Sequence, residues 1–395
     1  MRIFAALFLA YVLSIFYRSF LSVIADKVMA DLAIGPAELG LMSAAWFITF
    51  ALMQFPVGWA LDRVGPRLTV TALMTVGTAG AFLFAFAPNG IIATIAMALI
   101  GTGCSPIFMS ALYLLARGTA PEKFAGLASL FIGLGSIGNL VGAAPLARAA
   151  AAFGWREAMI GLACCFALAT VCAAVLTRDP PKADAEQKDS GLIEGLREIV
   201  SIPAFWLIAP ITFVSYAVLV TVRGLWIAPY LGEVNGFTTV EQGDAAFLMA
   251  VAMTIGAFAF AWLERAMGGP KPPVLWSTLL VAVLFGALAL VGHRTGSGAV
   301  ILFAAIGFAG FSYAILMAHA RLFFPDHLIG RGMTFMNFFF IAGASAMQAG
   351  SGWLIASGRS AGLDSATVFA RLHWTFAILL IVSVAVYAFA PARSE

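Results

Sequence analysis

Two arginines stand where arginine is costly. Arg18 lies in the middle of the apolar stretch LFLAYVLSIFYRSFLSVIA (7–25), and Arg223 lies near the middle of a second, ITFVSYAVLVTVRGLWIAPYL. An arginine at the centre of a membrane span costs roughly 2.5–3.5 kcal/mol on insertion scales, so it normally faces a bundle interior or a water-filled cavity. A guanidinium is always charged and presents a planar fork of donors that fits a carboxylate or a phosphate. Two such groups lining one cavity repel each other when it is empty, and an anion relieves that repulsion. The chemistry on offer is anion recognition. No nucleophile–base set, metal-ligand cluster or G-x-x-x-x-G-K-[ST] loop accompanies them, so no enzyme, cofactor or ATP-driven step is expected.

A second reading of the arginines stays open. Arg18, Ser22 and Asp26 fall at i, i+4 and i+8, on one face of a continuous helix. Asp26 would then lie about 12 Å along the axis, within partial reach of Arg18 through long side chains or water. Arg223 has no comparable acid in its own stretch. Asp26 is also the candidate proton-coupling carboxylate, against the simpler reading of a wetted acid beside Lys27. His319, beside Arg321, is a second titratable candidate. Tyr17 adjoins Arg18, and Trp226 and Tyr230 follow Arg223 by about one and two turns. The amides Gln54, Asn139, Asn337 and Gln348 sit in apolar stretches. Each is read either as a ligand contact or as a helix–helix hydrogen bond.

The elements that must position these residues are membrane helices. Of 395 residues 62% are hydrophobic and only 10% charged, where a soluble domain carries about 25% charged residues. A span needs about 20 apolar residues. Twelve spans are expected, near 3–30, 39–61, 68–87, 91–116, 124–150, 157–177, 204–232, 243–263, 272–292, 298–320, 332–356 and 367–390. The first reads as a retained span, because Arg18 interrupts the run and no small-x-small cleavage site precedes Asp26. Cys104, Cys164, Cys165 and Cys172 all fall inside spans and read as small packing residues.

Fourteen of the 22 Lys and Arg fall on one side of this topology and six on the other, with Arg18 and Arg223 inside. By the positive-inside rule both termini are cytoplasmic. The polar run Arg178–Arg197 reads as a cytoplasmic linker, with a short surface helix at Leu192–Val200. It separates an N-terminal half (1–177) from a C-terminal half (204–395), with 178–203 between them.

The two halves repeat. Arg18 matches Arg223 at an offset of 205, and Asp62-Arg63 matches Glu264-Arg265 at 202. Arg117-x3-Pro121-Glu122-x3-Gly126 matches Arg321-x3-Pro325-Asp326-x3-Gly330 at 204. A parallel repeat of two six-helix halves puts a binding site near the midplane between them.

The loop Gly58-Trp-Ala-Leu-Asp62-Arg63-Val-Gly65-Pro-Arg67 resembles the G-x-x-x-D-R-x-G-x-R signature of the major facilitator superfamily. In physical terms Gly58 allows close helix approach, Asp62 accepts from a helix N-terminus or an arginine, and Gly65 permits a tight turn. Trp262-Leu-Glu264-Arg265-Ala-Met-Gly268 is a degenerate second copy. The resemblance implies an all-α membrane fold of twelve helices in two pseudo-symmetric bundles. It also implies a secondary transporter working by rocker-switch alternating access, monomeric, with no nucleic-acid partner. One arginine in each of the first and seventh spans is similar to the organophosphate and anion exchangers of that superfamily. That likeness implies a small anionic solute bound by Arg18 and Arg223, with a proton or counter-anion as coupling partner. The fifth span carries Gly133, Gly135, Gly138, Gly142 and Pro145. It departs from the exporter motif at Asn139 and Ala143, which leaves close helix packing as the reading of its glycines. The alternatives are a carrier of a neutral or zwitterionic compound such as a vitamin, drug or metal chelate, and a transporter-like solute sensor. A bacterial inner membrane is the expected location.

Overall fold

The structure is a computed structural model that describes residues 2–118, 127, 130–131, 133–179, 197–310, 312–325 and 328–392. The side chains of 2–6, 62, 116–118, 261 and 329–331 lie outside that description. So do most of the linker and the landmarks Pro121, Glu122, Gly126 and Asp326. The helix expected over Leu192–Val200 is described only from residue 197, where it is helical.

Every regular element among the described residues is a helix. The first half holds α1 (Arg2–Phe16), α2 (Leu21–Leu32), α3 (Pro36–Arg63), α4 (Pro66–Ala85), α5 (Gly90–Gly118), α6 (Ile137–Val141), α7 (Ala144–Ala152) and α8 (Trp155–Leu176). The second half begins with α9 (Pro203–Thr221), a π turn (Val222–Trp226) and α10 (Ile227–Asn235). It continues with α11 (Thr239–Ala266), α12 (Lys271–Val291), α13 (Gly296–Gly310), α14 (Tyr313–Arg321), α15 (Ile329–Ser360) and α16 (Ser365–Tyr387). In lipid only internally satisfied backbone is tolerated, so these near-uniformly apolar segments form helices, and polar residues mark their ends. Thr238 and Glu241 close a capping box at the start of α11, and Asp364 accepts from the Thr367 N–H at the start of α16.

Among the described residues ten helices are long and apolar enough to cross a membrane, and the bent pair Leu7–Phe16 and Leu21–Leu32 makes an eleventh if taken as one span. The twelve spans expected are therefore not all seen. The fifth, 124–150, runs partly outside the described residues and shows α6, α7 and the helical residues 127, 130–131 and 133–135. A second correction concerns the first span, which is not one straight helix: its two parts meet at 61°.

In the first half α5 packs on α3 and α4, and α4 on α8. In the second α9 packs on α15, α11 on α13 and α12 on α16. The halves meet where α3 crosses α15, where α7 crosses α11, and where α2 lies on the π turn and α10. Most of these cross-half contacts lie toward the end carrying Asp26, Glu233 and Arg359. There Gly40 and Gly352 bring the α3 and α15 backbones together, Ser345 Oγ donates to the Ala44 carbonyl (3.1 Å), and Arg148 pairs with Asp244 at 2.8 Å. Nearer the other end the rings of Phe55 and Phe338 still meet, 5.9 Å between centroids.

Candidate binding site between the halves

Both arginines sit at irregular backbone. After α1 the chain tightens: the N–H groups of Arg18 and Ser19 donate three residues back, to the carbonyls of Ile15 and Phe16, where an α-helix would reach four back. Arg223 lies in the π turn, where the N–H of Ile227 reaches the carbonyl of Val222, five residues back. The two irregular turns touch. A Cβ at Gly224 would stand 2.9 Å from the Arg18 carbonyl oxygen and 3.4 Å from the Ser19 Cα, so glycine is what lets the backbones approach. Just beyond, the Ala228 N–H donates to Ser22 Oγ (3.2 Å) across the same interface.

Arg18 is half-buried, its guanidinium 5.5 Å from the Trp46 ring centroid and 4.9 Å from that of Phe50, in cation–π range of both. Arg223 is 5% exposed. Their backbones meet at Gly224, so two like charges share one junction. Among the described residues neither guanidinium donates a hydrogen bond or meets a carboxylate, and the Nε of each is buried without a partner. Gln348 lies at the same junction, its Nε2 3.8 Å from the Cβ position of Gly224. It is fully buried, and both its amide atoms lack partners. Arg18, Arg223 and Gln348 are thus brought together.

The reading of Arg18 as neutralised by Asp26 is corrected by the bend. Asp26 is exposed and faces Glu233 and Arg359, which form an ion pair at 2.5 Å within the second half. Tyr17 is buried inside the first half against Phe16, Phe20 and Phe166. Trp226 donates from Nε1 to Ser351 Oγ at 2.8 Å, and Tyr230 packs on Phe303, Phe369 and His373, both inside the second half. Gln54 donates to the Phe50 carbonyl (3.3 Å), and Asn337 accepts from the Tyr313 hydroxyl (2.9 Å). Asn139 keeps a buried, unpartnered Oδ1.

His319, the second titratable candidate, is held within the second half by two hydrogen bonds. It is fully buried, takes a hydrogen bond on Nδ1 from the Tyr387 hydroxyl (2.6 Å), and donates from Nε2 to the Pro391 carbonyl (3.0 Å). A carbonyl only accepts, so this set fits the neutral ring and ties α14 to the end of α16. Tyr387→Phe leaves Nδ1 buried and unpaired. It is expected to lower stability by about 1–3 kcal/mol, read as a lower unfolding temperature in detergent.

The signature loop sits at the far end from Glu233. Gly65 has φ of 104°, a conformation that favours glycine, and the Arg67 N–H donates to Asp179 Oδ1 at 2.8 Å. Arg67 Nε adds a bond to the Ala174 carbonyl (2.9 Å), so the loop is fastened to the end of α8. Gly58 does not mediate helix approach, since a Cβ there would meet nothing within 4 Å. Arg63 and Arg265 are exposed, Glu264 is half-buried in the matching turn, and the Asp62 side chain lies outside the described residues. In the fifth-span region a Cβ at Gly135 would strike the Tyr11 ring and one at Gly138 the Val12 carbonyl, so these glycines admit α1.

Three tyrosines in the helices around this junction escaped the sequence reading: Tyr11, stacked between Phe108 and Phe131, and Tyr216 and Tyr313, whose ring centroids lie 5.5 Å apart. A signal for two of them was present, because Tyr11 and Tyr216 each precede the arginine of their own repeat by seven residues.

Comparison with known proteins supplies the family. The Major Facilitator Superfamily model matches residues 7–346. The probable sulfoacetate transporter SauU of Cupriavidus necator is 26% identical over 63% of this chain, which spans 61% of that protein. A probable hexose phosphate transport protein of Chlamydia trachomatis is 24% identical over 72% of this chain and 69% of its own length. The membrane sensor protein UhpC of Escherichia coli is 24% identical over 97% of this chain and 89% of its own. Among solved structures, a bacterial homologue of the human lysosomal transporter Spinster, inward-facing and unoccupied, aligns with TM-score 0.79 at 16% identity, covering 98% of this chain and 96% of that one. Ten or eleven apolar spans among the described residues, all regular elements of which are helices, and a family match across most of the length lead to one conclusion: the chain is an integral membrane protein of the major facilitator superfamily, a family of carriers and not of enzymes.

Proposed function

We propose that this carrier moves a small organic anion by alternating access, with Arg18 and Arg223 as the clamp. One observation carries the reading. Two arginines, one from each repeat, stand on irregular turns that touch at Gly224, and neither guanidinium has a hydrogen-bond or carboxylate partner among the described residues. A charge buried alone costs several kcal/mol, so the arrangement persists where a ligand of opposite charge is part of the cycle. An anion bridging both arginines favours the state in which the halves are drawn together, which is the differential affinity that alternation requires. The names of the sulfoacetate and hexose phosphate relatives support an anionic solute. Asp26, exposed beside Glu233 and Arg359, is the candidate proton-coupling group, with a counter-anion as the other coupling partner. The Lys and Arg bias supports an inner-membrane location with both termini cytoplasmic, and the protein acts as a monomer.

The test is thermal unfolding in detergent with phosphate esters, carboxylates, inorganic anions and neutral metabolites, on the wild type and on Arg18→Gln. A ligand that binds only the folded state stabilises it by about 2.7 kcal/mol at a hundredfold excess over Kd. An anion is expected to raise the unfolding temperature of the wild type and not of the variant. A response to neutral compounds alone, or an equal response in the variant, sinks the clamp. A solute sensor is the second reading, favoured by the match to UhpC along nearly the whole chain. Flux into liposomes separates the two: a carrier empties the gradient and a sensor does not.

A further inference from the structure

We propose that the turn before α12 binds the phosphate of an anionic lipid, at a seat whose counterpart in the first half is filled by a carboxylate of the chain itself. Gly65-Pro66-Arg67 and Gly269-Pro270-Lys271 share one pattern at an offset of 204, the offset of Arg117 and Arg321. Each opens a helix, α4 and α12, after a glycine at positive φ, 104° and 150°. Each basic side chain also fastens the end of the last helix of its half. Arg67 Nε donates to the Ala174 carbonyl of α8 (2.9 Å), and Lys271 Nζ donates to the carbonyls of Ala388 (2.8 Å) and Ala390 just after α16. The second copy of the signature loop, degenerate over 262–268, thus keeps its Gly-Pro-basic end.

The two seats differ in what fills them. In the first half the Arg67 N–H donates to Asp179 Oδ1, and a Cβ on Gly65 would stand 2.8 Å from that oxygen and 3.0 Å from Asp179 Cγ. In the second half a Cβ on Gly268 or Gly269 would meet nothing within 4 Å. A cavity of about 440 Å³ opens there, lined by residues 268–272, Leu322 and Ala392. Among the described residues no carboxylate meets Lys271, and its N–H, the counterpart of the one that holds Asp179, has no partner. An ammonium carries three protons, and the two carbonyls take two of them. A cation with a spare proton and an open backbone donor thus line a cavity whose sister seat holds a carboxylate, and an oxyanion satisfies both. The surroundings favour lipid as its source. Arg265 and Arg321, exposed next to this turn and to Leu322 in sequence, add positive charge at a span end. Basic residues there draw anionic headgroups, about fivefold in affinity for each. One to two turns deeper on α11 and α12, an apolar groove of about 180 Å³ lined by Phe260, Leu263, Trp276, Leu280 and Phe308 has room for part of an acyl chain. Trp262 and Trp276 are 65% and 64% exposed, and indoles near a span end settle at the headgroup level. Arg18 and Arg223 take no part, so the seat is independent of the carrier reading.

The experiment is native mass spectrometry of the purified full chain, released from a non-ionic detergent with equal amounts of phosphatidylglycerol and phosphatidylcholine of the same acyl chains. Thermal unfolding with each lipid, and with inorganic phosphate, accompanies it. The wild type is expected to retain phosphatidylglycerol about five- to tenfold over phosphatidylcholine, and to unfold at a higher temperature with the anionic lipid alone. Lys271→Gln is expected to lose that preference. Ala392→Asp leaves Lys271 in place and supplies a carboxylate from the cavity wall, so it should lose the preference too, and unfold without lipid no lower than the wild type. Arg18→Gln should keep the preference, which separates this seat from the anion clamp. Equal retention of the two lipids by the wild type overturns the inference, as does an undiminished preference in folded Lys271→Gln or Ala392→Asp. Inorganic phosphate that stabilises the wild type as much as the lipid does, and not Ala392→Asp, overturns the lipid assignment in favour of a free anion.

Discussion

Arg223→Met is expected to unfold at a higher temperature than the wild type when no solute is present, and to lose anion binding. The expectation comes from the absence of compensation. Arg223 is 5% exposed, shares its junction with a second arginine, and meets no carboxylate among the described residues. Replacing a buried charge by an apolar side chain of similar length removes a desolvation penalty of several kcal/mol, and such exchanges are often neutral or stabilising by about 1–4 kcal/mol. Anion affinity should fall roughly 10- to 100-fold, from the loss of charge-assisted bonds worth about 1.5–3 kcal/mol. Arg223→Lys keeps the charge and loses the planar fork, so it should fall between the two. Arg18→Met should stabilise less, because Arg18 is half-buried and lies over the Trp46 and Phe50 rings, contacts worth about 0.5–2 kcal/mol. Thermal unfolding with and without the best-binding anion reads both effects. A structural arginine behaves in the opposite way: its loss strands a partner acid and costs about 3–5 kcal/mol. A lower unfolding temperature in Arg223→Met would therefore place Arg223 in the scaffold.

The large features were legible in the sequence because they follow from hydropathy and repetition. Span ends read from apolar runs fall close to the observed helices, as in 91–116 against Gly90–Leu115 and 272–292 against Lys271–Val291. A charge inside an apolar run is conspicuous, so Arg18 and Arg223 could be singled out. What hydropathy does not register is bending. The break over Tyr17–Phe20 contains neither proline nor glycine, and an apolar run reads the same whether straight or turned by 61°. That bend is why Asp26, on the same face as Arg18 in a straight helix, ends beside Glu233 and Arg359. Neighbours in sequence were also a poor guide to neighbours in space. Tyr17 adjoins Arg18 but packs on Phe16, Phe20 and Phe166, whereas the Arg18 guanidinium lies over the rings of Trp46 and Phe50 on another helix, because adjacent side chains diverge in an irregular turn. The amides show the opposite limit. Gln54 and Asn337 have protein partners and Gln348 has none among the described residues, a distinction hydropathy does not register.

Gly40→Trp should trap the carrier open at the end that bears Glu233 and Arg359, abolishing transport while leaving anion binding in place. A Cβ on Gly40 would stand 2.6 Å from the Gln348 carbonyl oxygen and 3.0 Å from the Gly352 Cα. A Cβ on Gly352 would stand 2.5 Å from the Pro36 carbonyl oxygen. These obstacles are backbone atoms, so no rotamer change relieves them, and α3 must separate from α15. The two helices belong to different halves, so the strain falls on the conformation closed at this end and is absent from one in which the halves have parted. Overpacking typically costs about 1–3 kcal/mol, and a bulky indole against backbone lies at the upper end. Some 2.7 kcal/mol moves a two-state equilibrium about a hundredfold, enough to empty the closed state. Spin labels on the exposed positions Asn89 and Ala361, one in each half near this end, report the separation. In the variant the distance distribution should shift to longer values, and liposome flux should fall to background. If the distribution stays as in the wild type and the protein remains folded, the halves do not move apart here, and alternation must run through α2 and α10 alone. Arg18 and Arg223 keep their places on either side of the gap, so the variant should still bind the anion, more weakly by the share of clamp energy that needs both halves together.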